Sequence, residues 1–188
     1  GFGFAPVAPE NRERAMLSMS RVEAIPFESM KQGMLWDWVS FPDWLDSLQR
    51  MPKGVNVVSY VPLGPLMTYV MGVDDCKNRE PTPEELAEMC RLIEAGMDAG
   101  ACGWSVQHLG DGFTSVQRDY DGTPMVTDCM SDATCLAFAE VLRKRGGGHI
   151  QITQAQEDIR EDLIFVEKLA EVSECPVLFN VVSANNYH

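Results

Sequence analysis

Two kinds of hydrophobic pattern alternate along most of this chain. Leu86, Met89, Cys90, Ile93 and Met97 recur at i, i+3, i+4, i+7 and i+11, one apolar stripe along a helix. Thr82 caps that helix in this reading, Pro83 takes its first position, Glu85 completes a T-x-x-E capping box and Gly100 stops it. A second helix is predicted from Asp132 to Arg145, with Leu136, Ala139 and Leu142 inward and Arg143, Lys144 and Arg145 at its negative end; Gly146 to Gly148 close it. A third runs through EDIREDLIFVEKLAEVSE, with Ile159, Leu163, Val166 and Ala170 on one face and Glu157 and Asp158 near its positive end. Short apolar runs separate these helices. Strands are expected near residues 55–61, 102–107, 149–154 and 176–182, the first ended by a loop at Pro62, Gly64 and Pro65.

Upstream, ENRERAMLSMSRVEA places charges outside Ala15, Met16 and Met19, as in a short surface helix. Trp36, Trp38, Phe41, Trp44, Leu45 and Leu48 follow within a short span, and Phe41-Pro42-Asp43 marks a helix start. Such a tryptophan cluster suits either core packing or a carbohydrate platform, and burial of large aromatics favours the core.

The rhythm of strand and helix, with apolar strands lacking alternation, predicts parallel strands covered on both faces. That pattern makes either an open doubly wound sheet or a closed barrel. No GxGxxG or P-loop spacing follows a strand, and the Gly-x-Gly of GFGFAP is weak alone, so the barrel is favoured. The expected fold class is α/β, the middle portion of a (β/α)8 TIM-type barrel, with residues 1–188 as one segment. Four strands do not close a barrel, and the chain starts at Gly1 without a methionine. The reading is therefore an internal segment of a longer polypeptide, with the rest of the barrel supplied from the parent chain or a neighbour, and a homo-oligomer left open.

Composition narrows the partners. Fifteen basic against 28 acidic side chains give a net charge of -13, which repels phosphate backbones and anionic lipid heads. Nucleic acid and membrane surfaces are excluded as expected partners, leaving a small-molecule substrate. The 45% hydrophobic content is enough for a substantial core. Six cysteines with no CxxC spacing, several in apolar runs, suit a reducing, cytoplasmic compartment rather than a zinc knuckle or a disulfide framework. No apolar stretch approaches the roughly twenty residues of a bilayer span.

In a barrel the chemistry gathers at C-terminal strand ends. The candidates there are Gln107 and His108, then Thr153, Gln154 and Gln156, then Asn180, Ser183 and the Asn185-Asn186-Tyr187-His188 tail. Apart from a possible charge on histidine they are neutral side chains, with no dense set of metal ligands. His149 falls at the start of its strand, on the stability face. His108 is either a pocket residue or a loop histidine without a role. The SVQRDYDGT stretch lies in a loop of about twenty residues, longer than an ordinary βα connection. Arg118 there is a candidate clamp for a substrate carboxylate, held by Asp119 or Asp121; the alternative is a solvated turn at Asp121-Gly122.

Several blocks resemble the N-acyl-D-amino-acid deacylase (D-aminoacylase-like) branch of the amidohydrolase superfamily. They are GFGFAP, F-x-x-W-L-D-S-L with P-K-G-V-N-V, T-P-E-E-L-x-x-M through M-D-A-G-A-C-G-W-S, and the glycine-rich turn into HIQITQ. The resemblance implies a hydrolase on a (β/α)8 barrel, in which a divalent metal, usually zinc, activates water against an acyl-amide carbonyl. It places an H-x-H pair and a cysteine ligand before Gly1 and a catalytic aspartate after His188, so no catalytic residue is expected within the segment. It also places Gln154 where a metal-binding histidine is expected, and Asn180 near the position of a second one. An amide is a weak zinc ligand beside imidazole, which makes Gln154 and Asn180 hydrogen-bonding residues toward substrate or a metal-bound water. The expected substrate-binding set is Gln107, His108, Arg118, Gln154 and Asn180. The expected activity is cleavage of a C–N amide bond of an N-acyl amino acid or a related cyclic amide. The alternatives are a non-catalytic barrel binding a small polar ligand, or a structural segment needing a partner chain.

Overall fold

Four strands pair in parallel in the order β1-β2-β3-β4. The computed structural model describes residues 1–112, 117–154 and 159–180; Gln156, Glu157, Asp158, Ser183, the C-terminal tail with His188, and the side chain of Ile159 lie outside the described residues. Helices α1 (Arg12–Glu23), α2 (Phe27–Gly33) and α3 (Phe41–Arg50) precede β1 (Val61–Pro62). Then come α4 (Leu63–Met71), α5 (Val73–Asn78), α6 (Pro83–Asp98), β2 (Gly103–His108), α7 (Asp132–Arg145), β3 (His149–Gln154), α8 (Ile159–Ser173) and β4 (Val177–Phe179). The architecture is mixed α/β around a small parallel four-stranded sheet.

One face of that sheet carries the core. Trp104, Val106, Ile150 and Ile152 are buried with Met89 and Ile93 of α6, Phe138 and Leu142 of α7, and Leu169 of α8. The indole of Trp104 donates to the Phe138 carbonyl at 3.1 Å, so its one polar atom is satisfied inside the core. The tryptophan cluster is also packing: Trp38 is buried, lies 5.2 Å from Trp36 ring to ring, and donates Nε1 to the Phe4 carbonyl. All six cysteines are free thiols.

The helix signals hold well at the termini. Thr82 and Glu85 exchange side-chain and backbone hydrogen bonds at the start of α6, and Ser40 and Asp43 do the same at α3. Gly146 takes the left-handed conformation that ends α7. Arg79 grips Glu85 through both guanidinium arms at 2.7 Å. That grip, with the Thr82 backbone bond, holds the Glu85 carboxyl down at about 2, below its ordinary 4.5. A carboxylate depressed in the folded state stabilises it fully above the unfolded value. We expect the melting-temperature difference between wild type and Glu85→Gln, which keeps the cap geometry, to be constant above pH 4.5 and to shrink as pH falls towards about 2. A difference independent of pH over that range would contradict the assignment.

Three expectations are corrected. The strand near 55–61 is reduced to Val61–Pro62; Val55, Val57 and Val58 are exposed, since β-branched residues make a buried strand only where a neighbour covers them. Pro62 to Pro65 do not form a loop but the entry to α4, with the two prolines in positions that need no helical N–H donor. On α8 the buried face is Asp162, Phe165, Leu169 and Ser173, one position round from the expected stripe, and Leu163 is exposed. Phe165 decides that rotation by packing 5.4 Å from the His108 ring.

Candidate functional site

Register sorts the polar residues of the sheet onto its two faces. Ser105 pairs with Gln151 and Gln107 with Thr153, while Trp104 pairs with Ile150, Val106 with Ile152 and His108 with Gln154. Because successive side chains alternate, Ser105, Gln107, Gln151 and Thr153 share the face opposite the helical core. β3 is therefore not covered on both faces as expected: His149, Gln151 and Thr153 are open or half-open while Ile150, Ile152 and Gln154 are buried. The polar face opens into a cleft of about 510 Å³, joined by Asn180 just beyond β4 and by Gln117, with Phe2, Met19, Glu23 and Ile25 at its walls.

Gln107 forms part of the wall of this cleft and is 2% exposed. Its Nε2 donates to the Gln117 carbonyl at 3.1 Å and to Asp128 Oδ2 at 2.8 Å. Its Oε1 has no partner among the described residues. Asp128 also accepts from the backbone N–H of Leu109 at 3.0 Å and of Met125 at 3.3 Å. Burial pushes the Asp128 carboxyl up from its ordinary value, against the pull of those hydrogen bonds. Across the cleft, Asn180 Nδ2 donates to Thr153 Oγ1 at 3.1 Å, leaving the threonine hydroxyl hydrogen to donate elsewhere.

The other face brings together a different pair. His108 reaches the Thr127 carbonyl through Nδ1 at 3.2 Å and Asp132 Oδ1 through Nε2 at 2.9 Å, so both ring nitrogens meet oxygen acceptors. Gln154, its neighbour in register, is buried, with its Oε1 unpartnered among the described residues. Of the expected substrate-binding residues, Gln107 and Asn180 thus share the cleft. His108 and Gln154 lie on the helix-covered face, and neither they nor Arg118 belongs to the cleft lining. Arg118 is half-buried and engaged, and Asp119 serves a different purpose from the expected one: it is buried and bound by Arg14, Lys77 and Ser18. Asp121 turns back on Thr123, accepting from its N–H and its hydroxyl.

Sequence reading passed over Ser105 and Gln151. The signal was present as polar residues at i and i+2 in both GWSVQH and HIQITQ, the period of a strand with one polar face. A smaller cavity of about 80 Å³ lies between α1 and α4, lined mainly by apolar side chains such as Val7, Ala15 and Tyr69, with the Arg14–Asp119 pair at its edge. Of its polar lining, Arg14 and Ser18 both donate to Asp119.

The implied zinc does not fit the described residues. Among them no group of three or more His, Cys, Asp or Glu side chains is placed to hold a metal ion. Position 154 offers an amide, on the face away from the cleft. No helix among the described residues is long and apolar enough to cross a membrane.

No family model and no solved structure matches the chain significantly. Uncharacterized proteins of Mycobacterium bovis and Mycobacterium tuberculosis are 35% identical to it over 100 residues. The match covers 50% of this chain but 16% of each relative, so the chain spans only a minor part of the curated relatives it matches.

Proposed function

We propose that this chain is part of the wall of a (β/α)8-type hydrolase that cleaves the amide C–N bond of an N-acyl amino acid or a related amide. In this reading the polar sheet face holds the substrate. The observation that carries it is the convergence of Ser105, Gln107, Gln151, Thr153 and Asn180 on one cleft. Neutral donors and acceptors of this kind orient an amide without binding it by charge. Supporting it are the strictly parallel strand order and the resemblance in the capped α6 helix through GWS. Leu163 and Ile164 on α8 and Leu178 on β4 are exposed beside the last strand, the surface that a following βα unit would cover. The zinc of this reading has no ligand set among the described residues, so these residues are given binding and orientation only.

The test is amine release from a panel of N-acetyl amino acids and their amides, with and without chelator, in the intact protein. Wild type should release amine, chelation should stop it, and Gln107→Met should lower kcat/KM about tenfold or more by removing a buried hydrogen-bonding partner. Absence of release across the whole panel in metal-replete protein would overturn the proposal.

A further inference from the structure

We infer that Asp128 is the positioning residue of the cleft: its carboxylate, itself fixed by backbone N–H groups, sets the Gln107 side chain in the orientation that meets the ligand. The inference rests on the cleft being the binding site of the proposed hydrolase, and it goes further by giving a role to a residue that does not line it.

Asp128 is buried on the short 3-10 turn Val126–Asp128, which precedes α7. Its Oδ1 accepts from the Leu109 N–H at 3.0 Å and its Oδ2 from the Met125 N–H at 3.3 Å. Both donors belong to the main chain, so the backbone holds the carboxylate through each of its oxygens. Gln107 is then held by the carboxylate. Its Nε2 carries two hydrogens and meets two acceptors, Asp128 Oδ2 at 2.8 Å and the Gln117 carbonyl at 3.1 Å. With both donors taken, a flipped amide would turn its oxygen against two oxygens. His108, next along β2, bonds the Thr127 carbonyl and Asp132, so Gln107, His108 and Leu109 are all fastened to the segment 127–132. Every one of these bonds joins residues between 107 and 132, whatever covers the sheet face beyond them.

The arrangement needs a carboxylate. Asp128 accepts from Leu109, Met125 and Gln107 on two oxygens. An asparagine amide would turn its NH₂ either to the Leu109 N–H or to Met125 and Gln107, donor against donor. The charge is held against its surroundings: burial pushes the Asp128 carboxyl up, while the bonds from Leu109, Gln107 and Met125, and the nearby His108, pull it down. The Gly1 amine also lies near, and burial pulls it from 8.0 down to about 4, so near pH 7 it is neutral and no counter-ion to Asp128. The Cys129 thiol, raised by burial, is a further titratable neighbour. A buried carboxylate kept beside a cleft residue locks that residue's side chain, as a fixed binding geometry requires.

The experiment is a double-variant cycle in the intact protein, read by calorimetric binding of N-acetylalanine methylamide and by the NMR signals of the Gln107 side-chain NH₂. Asp128→Asn should shift those signals and weaken binding about tenfold, the scale of a lost hydrogen bond to a charged group. In the Gln107→Met background the same substitution should change affinity by less than about twofold, because Asp128 acts on the ligand through Gln107. A merely structural Asp128 would weaken binding equally in both backgrounds. That result, or Gln107 NH₂ signals unmoved in folded Asp128→Asn, overturns the inference. If Asp128→Asn does not fold, wild type gives the answer: the Gln107 NH₂ shifts should follow the Asp128 carboxyl carbon through one midpoint above its ordinary 3.8, and shifts independent of that titration overturn the inference. Binding needs no turnover, so the outcomes separate. Coupled binding without amine release defeats the hydrolase reading alone, amine release without the coupling defeats this inference alone, and wild type that leaves the amide unbound overturns both.

Discussion

Replacing Gly103 by alanine should unfold this protein at markedly lower temperature, by far the largest effect expected from adding one methyl group. Gly103 opens β2 at φ +146°, a conformation that L side chains rarely adopt. A Cβ there would overlap the carbonyl oxygen of His149 and lie 2.7 Å from its nitrogen. These are backbone atoms of the paired strand, so no side-chain rotation relieves the clash. The same stretch carries the Cys102 carbonyl bond to His149 N–H at 2.8 Å and the first register pair of β2 with β3. Strain and overpacking together should cost about 3 kcal/mol or more. Urea denaturation measures it; an unchanged midpoint and slope would contradict the close approach of the two strands.

The second large effect is expected at Asp119. Its carboxylate, 1% exposed, accepts from Arg14, from Lys77 at 2.7 Å, from Ser18 at 2.6 Å and from the Tyr120 N–H at 2.8 Å. It thereby ties the loop before α7 to α1 and α5. Asp119→Asn preserves the shape but leaves two cations facing each other without their anion. Removing one member of a buried ion pair costs about 3–5 kcal/mol, and the partial exposure of Arg14 (23%) and Lys77 (15%) places this case at the lower end. Adding Lys77→Met to Asp119→Asn should restore part of the loss, because one of the stranded charges is gone. If the double variant is as unstable as the sum of the single ones, the cluster is not the cause.

Much of this architecture could be read from the chain because local signals and tertiary packing agree. The α6 helix starts at Pro83 with its T-x-x-E box and buries Met89, Ile93 and Met97, and α7 runs from Asp132 to Arg145, as expected. What escaped depended on neighbours. Val55 to Val58 carry strand propensity, but only Val61 and Pro62 find a partner strand. The stripe on α8 is ambiguous because Leu163, Ile164 and Phe165 are adjacent apolar residues, and only the position of His108 tells which turns inward. The site suffered from strand parity. Gln107 and His108 are consecutive, as are Thr153 and Gln154, so each pair was grouped as one strand end although alternation sends its members to opposite faces. The expected set joins Gln107 and Asn180, which share the cleft, to His108, Arg118 and Gln154, which do not line it, and omits Ser105 and Gln151, which do.

The account stands or falls on the polar sheet face being the surface that meets the ligand. The most direct measurement is NMR titration of N-acetylalanine methylamide into isotope-labelled protein, following the side-chain NH₂ signals of Gln107, Gln151 and Asn180. The account predicts saturable shifts of these three, with Tyr69 beside the smaller cavity unmoved. Shifts confined to the small cavity between α1 and α4, with the three amides unchanged at saturation, would contradict it.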